Sequence, residues 1–482
     1  MPGGVRYTFD RFELNLQTRR VTAGGDPIPL ADRHFDVLLQ LVSHPGAILP
    51  KDALIDAAWG DVAVTDNSLE QAVSALRREL GNAPEGGSYI ETIPRRGYRF
   101  NGTVARAAAR QTDEALEALL APHRAWVEGR AALETLERDG IGRARAAFEQ
   151  LLRSAPEQPL AHIGLANACA LQFETTRADE ARDTAALVRA MAHAREACRL
   201  DPQSGEAWAS LGFVLDRSGQ PLDATAALRR AVMLEPDNWR HHFRLSYVGW
   251  GEDRLREARR TLALLPGFPL AHWMIATVQV ARRVLDQAEI ELEAGIAVQE
   301  RQGAHARFSA VGLHWLRGLI HLARSDEAAA LAALERELSC ESLGHLYSRE
   351  CGANAWYAIG ALHLRQHHLA DARLAFARAL ERLPAHPLAR IALAAAGETR
   401  GAAAGPPTAQ QSGSPIDIAI YQAAALVLQG HHRAAAHTID EALAAAPPGS
   451  GGWLLPVEPL LNVNAHPDIW APALARLQSR AS

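Results

Sequence analysis

"YIETIPRRGYRFNG", residues 89–102, sets two short β-type runs, Tyr89–Ile93 and Tyr98–Phe100, on either side of Pro94-Arg95-Arg96-Gly97. Breaker residues between two β-prone stretches predict a hairpin. Its tip carries two adjacent arginines, with Arg99 close by, in a chain of formal net charge -5. The residues upstream give those arginines a purpose.

"DNSLEQAVSALRRELG", residues 66–81, predicts a helix, with Asn67 and Glu70 at capping-box spacing and Gly81 as the stop. Leu69, Ala72, Val73, Leu76 and Leu80 form one apolar stripe. At about 100° per residue, Asn67, Gln71, Ser74 and Arg78 share the opposite face, with Arg77 and Ala75 on its flanks. Amide, hydroxyl and guanidinium groups read base edges and clasp phosphates. A solvated helix face has the same composition; the neighbouring hairpin decides between the two readings. Further upstream, "ADRHFDVLLQLVSHPG" places Phe35, Leu38, Leu39 and Val42 at helical spacing, and "KDALIDAAWG" reads as a second, short helix. Before both come the β-like runs "VRYTF", "FELNL", "RRVTA" and "DPIPL". Helix, turn, helix and an arginine-tipped hairpin build a winged helix-turn-helix, whose third helix enters a major groove while the wing reaches nearby backbone or minor groove.

The segments "LADRHFDVLLQLVSHPG", "LIDAAWG", "VTDNSLEQAVSALRREL" and "YIETIPRRGYRF" run in the order and at the spacing of a known family. Residues 5 to 104 resemble the OmpR/PhoB-type winged-helix domains, including those of CadC, ToxR and HilA. The resemblance implies a four-stranded N-terminal sheet, three helices and a C-terminal wing. By position it places Arg77, Trp59 and Thr92 where relatives contact phosphate, and Arg95-Arg96 in the wing. With the exposed helix face, the candidate DNA-binding set is Trp59, Asn67, Ser68, Gln71, Ser74, Arg77, Arg78, Thr92, Arg95, Arg96 and Tyr98. One departure matters: this chain has Ser74-Ala75 where some relatives place a base-contacting arginine, so their operator sequence does not carry over.

Residues 1 to 104 hold eleven Lys/Arg against thirteen Asp/Glu, so bulk charge does not draw this domain to DNA. The basic footprint is local, at Arg77, Arg78, Arg95, Arg96 and Arg99. That predicts modest affinity for one module, compensated by paired or cooperative binding.

After Val104 the composition turns to Ala, Leu and Arg, and residues 105–124 read as a linker. A repeat follows. Trp208, Leu211, Gly212, Leu215, Ala224, Leu228, Ala231 and Pro236 occupy tetratricopeptide positions in order, and Trp356, Ile359, Gly360, Ala372, Phe376, Ala379 and Pro384 repeat them. The second half of the pattern recurs at Ala144–Pro156, Ala190–Pro202 and Ala435–Pro447. About eight helix-pair units over residues 125–452 are expected, small residues letting helices approach and Pro ending the second helix of each. Two places interrupt the array: an extra stretch around "FETTRADEARDT", and a Gly/Ala/Pro/Ser-rich segment, 397–415, that reads as a flexible loop. Residues 453–482 depart from the repeat and are expected to form an amphipathic cap. The fold class is thus an α/β winged helix-turn-helix N-terminal domain followed by an all-α tetratricopeptide-type superhelical repeat domain.

No GxxxxGK[ST], HExxH or GxSxG motif is present. His363 and His367 stand four apart beside His368, and His241-His242 and His431-His432 are pairs, yet no acidic or cysteine partner has diagnostic spacing. Cys169, Cys198, Cys340 and Cys351 are scattered, as in a reduced cytosolic protein without structural zinc. No catalytic, metal or cofactor site is expected. Trp208 and Trp356 read as core; Trp239, Trp250, Trp273 and Trp315 are less regular, and some are candidates for a concave ligand-holding surface. The N-terminus lacks the apolar region of a signal peptide, and no window approaches the ~20 apolar residues of a membrane span. These features describe a cytoplasmic, sequence-specific transcription regulator, not an enzyme and not at a membrane. Its winged helix would bind promoter DNA, and its repeats would take a protein or small-molecule partner or self-associate. The rival reading is a scaffold whose winged helix binds protein.

Overall fold

The computed structural model describes residues 6–16, 18–60, 66–83, 86–107, 113–179, 181–303, 308–397 and 414–482. The N-terminal domain opens with β1 (Arg6–Phe9), β2 (Phe12–Asn15), β3 (Arg20–Ala23) and β4 (Asp26–Ile28), the four expected strands. Then come α1 (Asp32–Ser43), β5 (Ile48–Leu49), α2 (Lys51–Trp59) and α3 (Asp66–Leu80), followed by the wing strands β6 (Ile90–Ile93) and β7 (Gly97–Phe100). A further strand, β8 (Ala105–Ala107), pairs antiparallel with β1, so the first sheet has five strands in the order β4-β3-β2-β1-β8. The expected linker is corrected accordingly: residues 105–107 belong to the sheet, and α4 begins at Asp113.

The second sheet, β5-β7-β6, joins the wing to the strand that precedes α2. Phe9, Phe12, Tyr89 and Phe100 pack between the two sheets with ring centroids 5.0 to 6.0 Å apart. The α3 stripe Leu69, Ala72, Val73, Leu76 and Leu80 is wholly buried, as its spacing requires. Helix α1 is packed on two sides: Val37 and Leu41 are buried besides Phe35, Leu38 and Val42, and Leu39 lies at the rim. The capping box expected at α3 does not form. The helix already includes Asp66, and the Glu70 carboxylate accepts from Lys51 Nζ at 2.8 Å. Gly81, at φ +69°, ends the helix.

The described residues from Asp113 onward are mainly helical hairpins. They are α4 (Asp113–Glu134) with α5 (Arg138–Ser154), α6 (Pro159–Thr176) with α7 (Thr184–Leu200), α8 (Gly205–Arg217) with α9 (Pro221–Leu234), and α10 (Trp239–Val248) with α11 (Glu252–Leu264). Next come α12 (Pro269–Ala281) with α13 (Leu285–Gln302), α14 (Leu313–Ala323) with α15 (Glu327–Ser339), and α16 (Ser348–Arg365) with α17 (Leu369–Arg382). Helix α18 (Pro387–Gly397) follows alone; α19 (Pro415–Leu428) with α20 (His432–Ala445) is the eighth pair among the described residues, and α21 (Pro467–Arg480) is last. Residues 398–413 of the expected loop lie outside the described residues. Gly212 and Gly360 show why the pattern needs a hydrogen there: a Cβ would sit 2.6 Å from Leu228 and 2.5 Å from Phe376 of the paired helix.

The array closes on itself. Arg177 and Asp179, in the interruption after α6, reach α16, with Arg177 on Glu350 at 2.6 Å and Arg349 on Asp179 at 2.5 Å. Leu346 N donates to Leu136 O at 2.7 Å, beside a bridge between Glu137 and His345. The tail does more than cap the end. Trp470 is fully buried, the Glu458 carboxylate accepts from the Tyr357 hydroxyl, Trp453 stacks edge-on to Trp273, and Ala481 O accepts from Arg282 Nε.

Candidate nucleic-acid interface

The wing turn is built by its own residues. Pro94 takes the second position, Arg95 the third at φ +63°, and Arg96 N closes the turn on Ile93 O at 3.0 Å, the type II pattern. A left-handed third position favours glycine, and an arginine there costs on the order of 1 kcal/mol. Arg95→Gly is therefore expected to raise stability by about 0.5–1 kcal/mol, to be checked by urea denaturation. Gly97, at φ +127°, follows because β7 runs against the backbone of Leu49.

Five arginines cluster around the hairpin, but packing gives them different jobs. Arg77 donates through Nε and Nη2 to Ile90 O, at 2.9 and 2.8 Å, and through Nη2 to Thr92 Oγ1 at 2.8 Å; it ties α3 to the wing. Arg99 pairs with Glu91 at 2.6 Å, which holds that carboxyl below its ordinary pKa. Arg78 is exposed and lies against Glu79 at 3.0 Å. Arg95 and Arg96 are exposed at the tip, and no ion pair engages either guanidinium among the described residues. Asn67, Gln71 and Ser74 are exposed on α3, Ser68 is half-buried beside them, and Thr92 is exposed on the wing.

Trp59 and Tyr98 depart from the expected surface placement. They are 4% and 3% exposed, packed in the domain core with Leu54, Val73 and Phe100. Tyr98 sits on β7 between β5 and β6, so its inward face follows from strand alternation; Trp59 ends α2 on its apolar side.

The repeats stand against this domain. Its core continues into Trp239, Leu265 and Phe268, and Arg19, paired with Asp36 at 2.8 Å, also donates through Nη1 to His123 Nδ1 at 3.2 Å. Because a guanidinium can only donate, His123 accepts and is neutral there, in keeping with the lowering of its pKa by burial. A cleft of about 350 Å³ separates one flank of α3, with Ser68, Gln71, Ala75 and Arg78, from Asp237 and Asn238 of the repeats. No local pattern in the sequence announces this wall, since its two sides are more than a hundred residues apart.

Elsewhere, His241 Nε2 lies 2.9 Å from Glu235 and His242 Nδ1 2.7 Å from Glu257. His363 groups with His368 and Asp371, not with His367. The four cysteines are free, and burial raises the pKa of each thiol. No helix among the described residues is long and apolar enough to cross a membrane.

Residues 25–100 match the family described as "Transcriptional regulatory protein, C terminal". They form an OmpR/PhoB-type DNA-binding domain. The Salmonella typhimurium transcriptional regulator HilA is 35% identical over 99 residues, which cover 20% of this chain and 18% of HilA. A cholera toxin homolog transcriptional activator of Vibrio parahaemolyticus is 30% identical over 110 residues, covering 22% of this chain and 37% of that protein. The solved DNA-binding domain of Escherichia coli CadC, at 29% identity, covers 21% of this chain and 94% of its own length, with a TM-score of 0.20 over the whole chain. The chain thus spans well under half the length of the curated relatives it matches. The matched family residues, 25–100, include α3 and the wing.

Proposed function

We propose that this chain is a cytoplasmic, sequence-specific transcriptional regulator without enzymatic activity, whose repeats receive a signal from a partner protein, a ligand or a second copy. The DNA is promoter DNA. Asn67, Ser68, Gln71, Ser74 and Arg78 face its major groove, and Thr92, Arg95 and Arg96 its backbone. Arg77 positions the wing; Trp59 and Tyr98 support it from the core. The observation that carries this reading is the pair of unengaged guanidinium groups at the wing tip, beside the polar face of α3. The repeats beside Ser68 and Ala75 supply the route for a signal, because a shift there changes access to α3.

Selection from random DNA by the full chain, beside an Arg95→Ala/Arg96→Ala variant, tests the reading. A defined motif is expected. The variant should bind more weakly, with a salt slope shallower by about 1–2, as the loss of up to two phosphate contacts requires. No sequence selection, with a variant indistinguishable from the parent, would instead leave a protein-binding scaffold.

A further inference from the structure

The closed array surrounds a second cavity, of about 440 Å³, within the range of small-molecule sites. Aromatic side chains make up about a third of its walls, Trp239, Trp273, Trp315 and Trp453 among them. Three of the less regular tryptophans of the sequence therefore line one chamber. Two properties of the chamber specify an occupant.

The first is a one-sided hydrogen-bonding deficit. The indole N–H groups of Trp239, Trp273 and Trp315 are buried without a partner, as is Arg244 Nη1. Trp239 and Trp315 are 4% and 8% exposed. Three oxygens of the same walls are already engaged: Asn167 Oδ1 accepts from Arg244 Nη2 at 2.9 Å, Glu134 from Arg240 Nε at 2.6 Å, and Glu350 from Arg177 Nη2 at 2.6 Å. None of the four donors meets an acceptor among the described residues. An indole N–H and a guanidinium can only donate, and a buried donor without a partner is costly. Arg244 is also stacked over Phe213, with 5.1 Å to the ring centroid, and lies near both the Glu206 carboxylate and the Arg240 guanidinium, so an incoming carboxylate meets a held guanidinium with a donor to spare.

The second property is the way the ends of the array meet beside the cavity. The contacts of Arg177 with Glu350, of Tyr347 with Glu174 and of Leu346 with Leu136 join the first repeats to the seventh, and Trp453 of the tail fills in beside Trp273. An extended peptide brings backbone donors of its own to walls whose donors already lack partners, so a compact, flat molecule that carries acceptors suits this cavity better.

We propose that this cavity binds a small organic acid with a flat apolar body, its carboxylate on Arg244 Nη1 and its remaining acceptors on the indole N–H groups. The proposal rests on the reading that the repeats receive a signal, and names the chemistry of that signal.

The test titrates the full chain with 2-naphthoate, with the equally shaped cation 2-naphthylmethylamine and with acetate, following tryptophan fluorescence and heat. Naphthoate is expected to bind saturably, at least about tenfold more tightly than the amine. Arg244→Gln should weaken naphthoate by about tenfold and leave the amine unchanged; Trp315→Phe, which keeps an aromatic side chain of smaller size and removes one donor, should weaken it severalfold with an unaltered circular dichroism spectrum. If Arg244→Gln does not fold, Trp315→Phe decides. Equal binding of acid and amine overturns the proposal, as does no saturable naphthoate binding by folded protein, or a folded variant that binds like the parent. DNA affinity measured in the same samples separates the two readings. Naphthoate binding without any change in DNA affinity keeps the cavity and removes its signalling role; DNA selection without naphthoate binding does the reverse.

Discussion

Gly97→Ala is expected to destabilise the winged helix by at least about 3 kcal/mol and to abolish DNA binding with it. A Cβ on residue 97 would lie 1.9 Å from the Leu49 carbonyl oxygen, 2.8 Å from its carbon and 3.0 Å from Pro50 Cα. All three are backbone atoms, so no side-chain rotation relieves the clash. The methyl group would part β5 from β7, where Leu49 faces Tyr98, and shift the start of α2, for which Pro50 is the residue before the first turn. The matched control is Gly24→Ala. Gly24 also has positive φ, +60°, but nothing lies within 4 Å of a Cβ there, so only the conformational cost of about 1 kcal/mol applies. Urea denaturation of both variants, followed by a probe of the N-terminal domain, separates close approach from conformational strain. Equal losses in the two would refute the account of Gly97.

Acid is expected to weaken the repeat ring between about pH 6.5 and pH 4. Burial lowers the pKa of His345 and of His386 to about 4 in the folded protein, against an ordinary value near 6.5. Their rings are 1% and 5% exposed. His345 Nδ1 accepts from Tyr347 N at 3.2 Å, and His386 Nδ1 from Ala389 N at 3.2 Å, so a proton on either nitrogen would confront an amide N–H. Both histidines have folded pKa values below the unfolded one, so the unfolded chain takes up protons first as pH falls. Stability contributed by the neutral rings is complete above about pH 6.5 and is lost progressively down to about pH 4, on the order of 3 kcal/mol for each. His345 lies at the bridge to Glu137, so opening should begin where the first repeats meet the seventh. Unfolding by urea at pH 7, 5.5 and 4.5 measures the loss. His386→Gln should flatten the profile by about a third, because burial also lowers the pKa of His314 to about 4 and one of three such groups no longer titrates. A parent whose stability is flat across this window would disprove the prediction.

The wing and α3 are legible in the sequence because both are specified locally. A type II turn needs Pro94 and a left-handed residue next to it, and the α3 stripe needs apolar residues every third or fourth position. The repeats are legible for the same reason, since each Gly212- or Gly360-like position repeats one short-range contact within a helix pair. Less legible was which members of the candidate site face solvent. Trp59, placed by the resemblance, and Tyr98, another member of the candidate set, both sit in the core, and their burial depends on neighbours brought in by β5 and α1. The linker was misplaced because Ala105–Ala107 has the composition of the helices that follow, and only the free edge of β1 makes it a strand.

The sequence by itself determined the order and type of the elements, the hairpin with its arginine tip, the polar face of α3 and the repeating helix pairs. Periodicity and turn chemistry act over a few residues, and a few residues suffice to state them. Only the tertiary structure decided which arginines remain unengaged, since Arg77 is claimed by Ile90 and Thr92 and Arg99 by Glu91. It also decided that the array closes through Arg177 and Glu350, and that distant tryptophans and Arg244 line one cavity with donors that have no partner. These outcomes depend on small rotations accumulated over many repeats and on partners far apart in the chain, which no local pattern encodes.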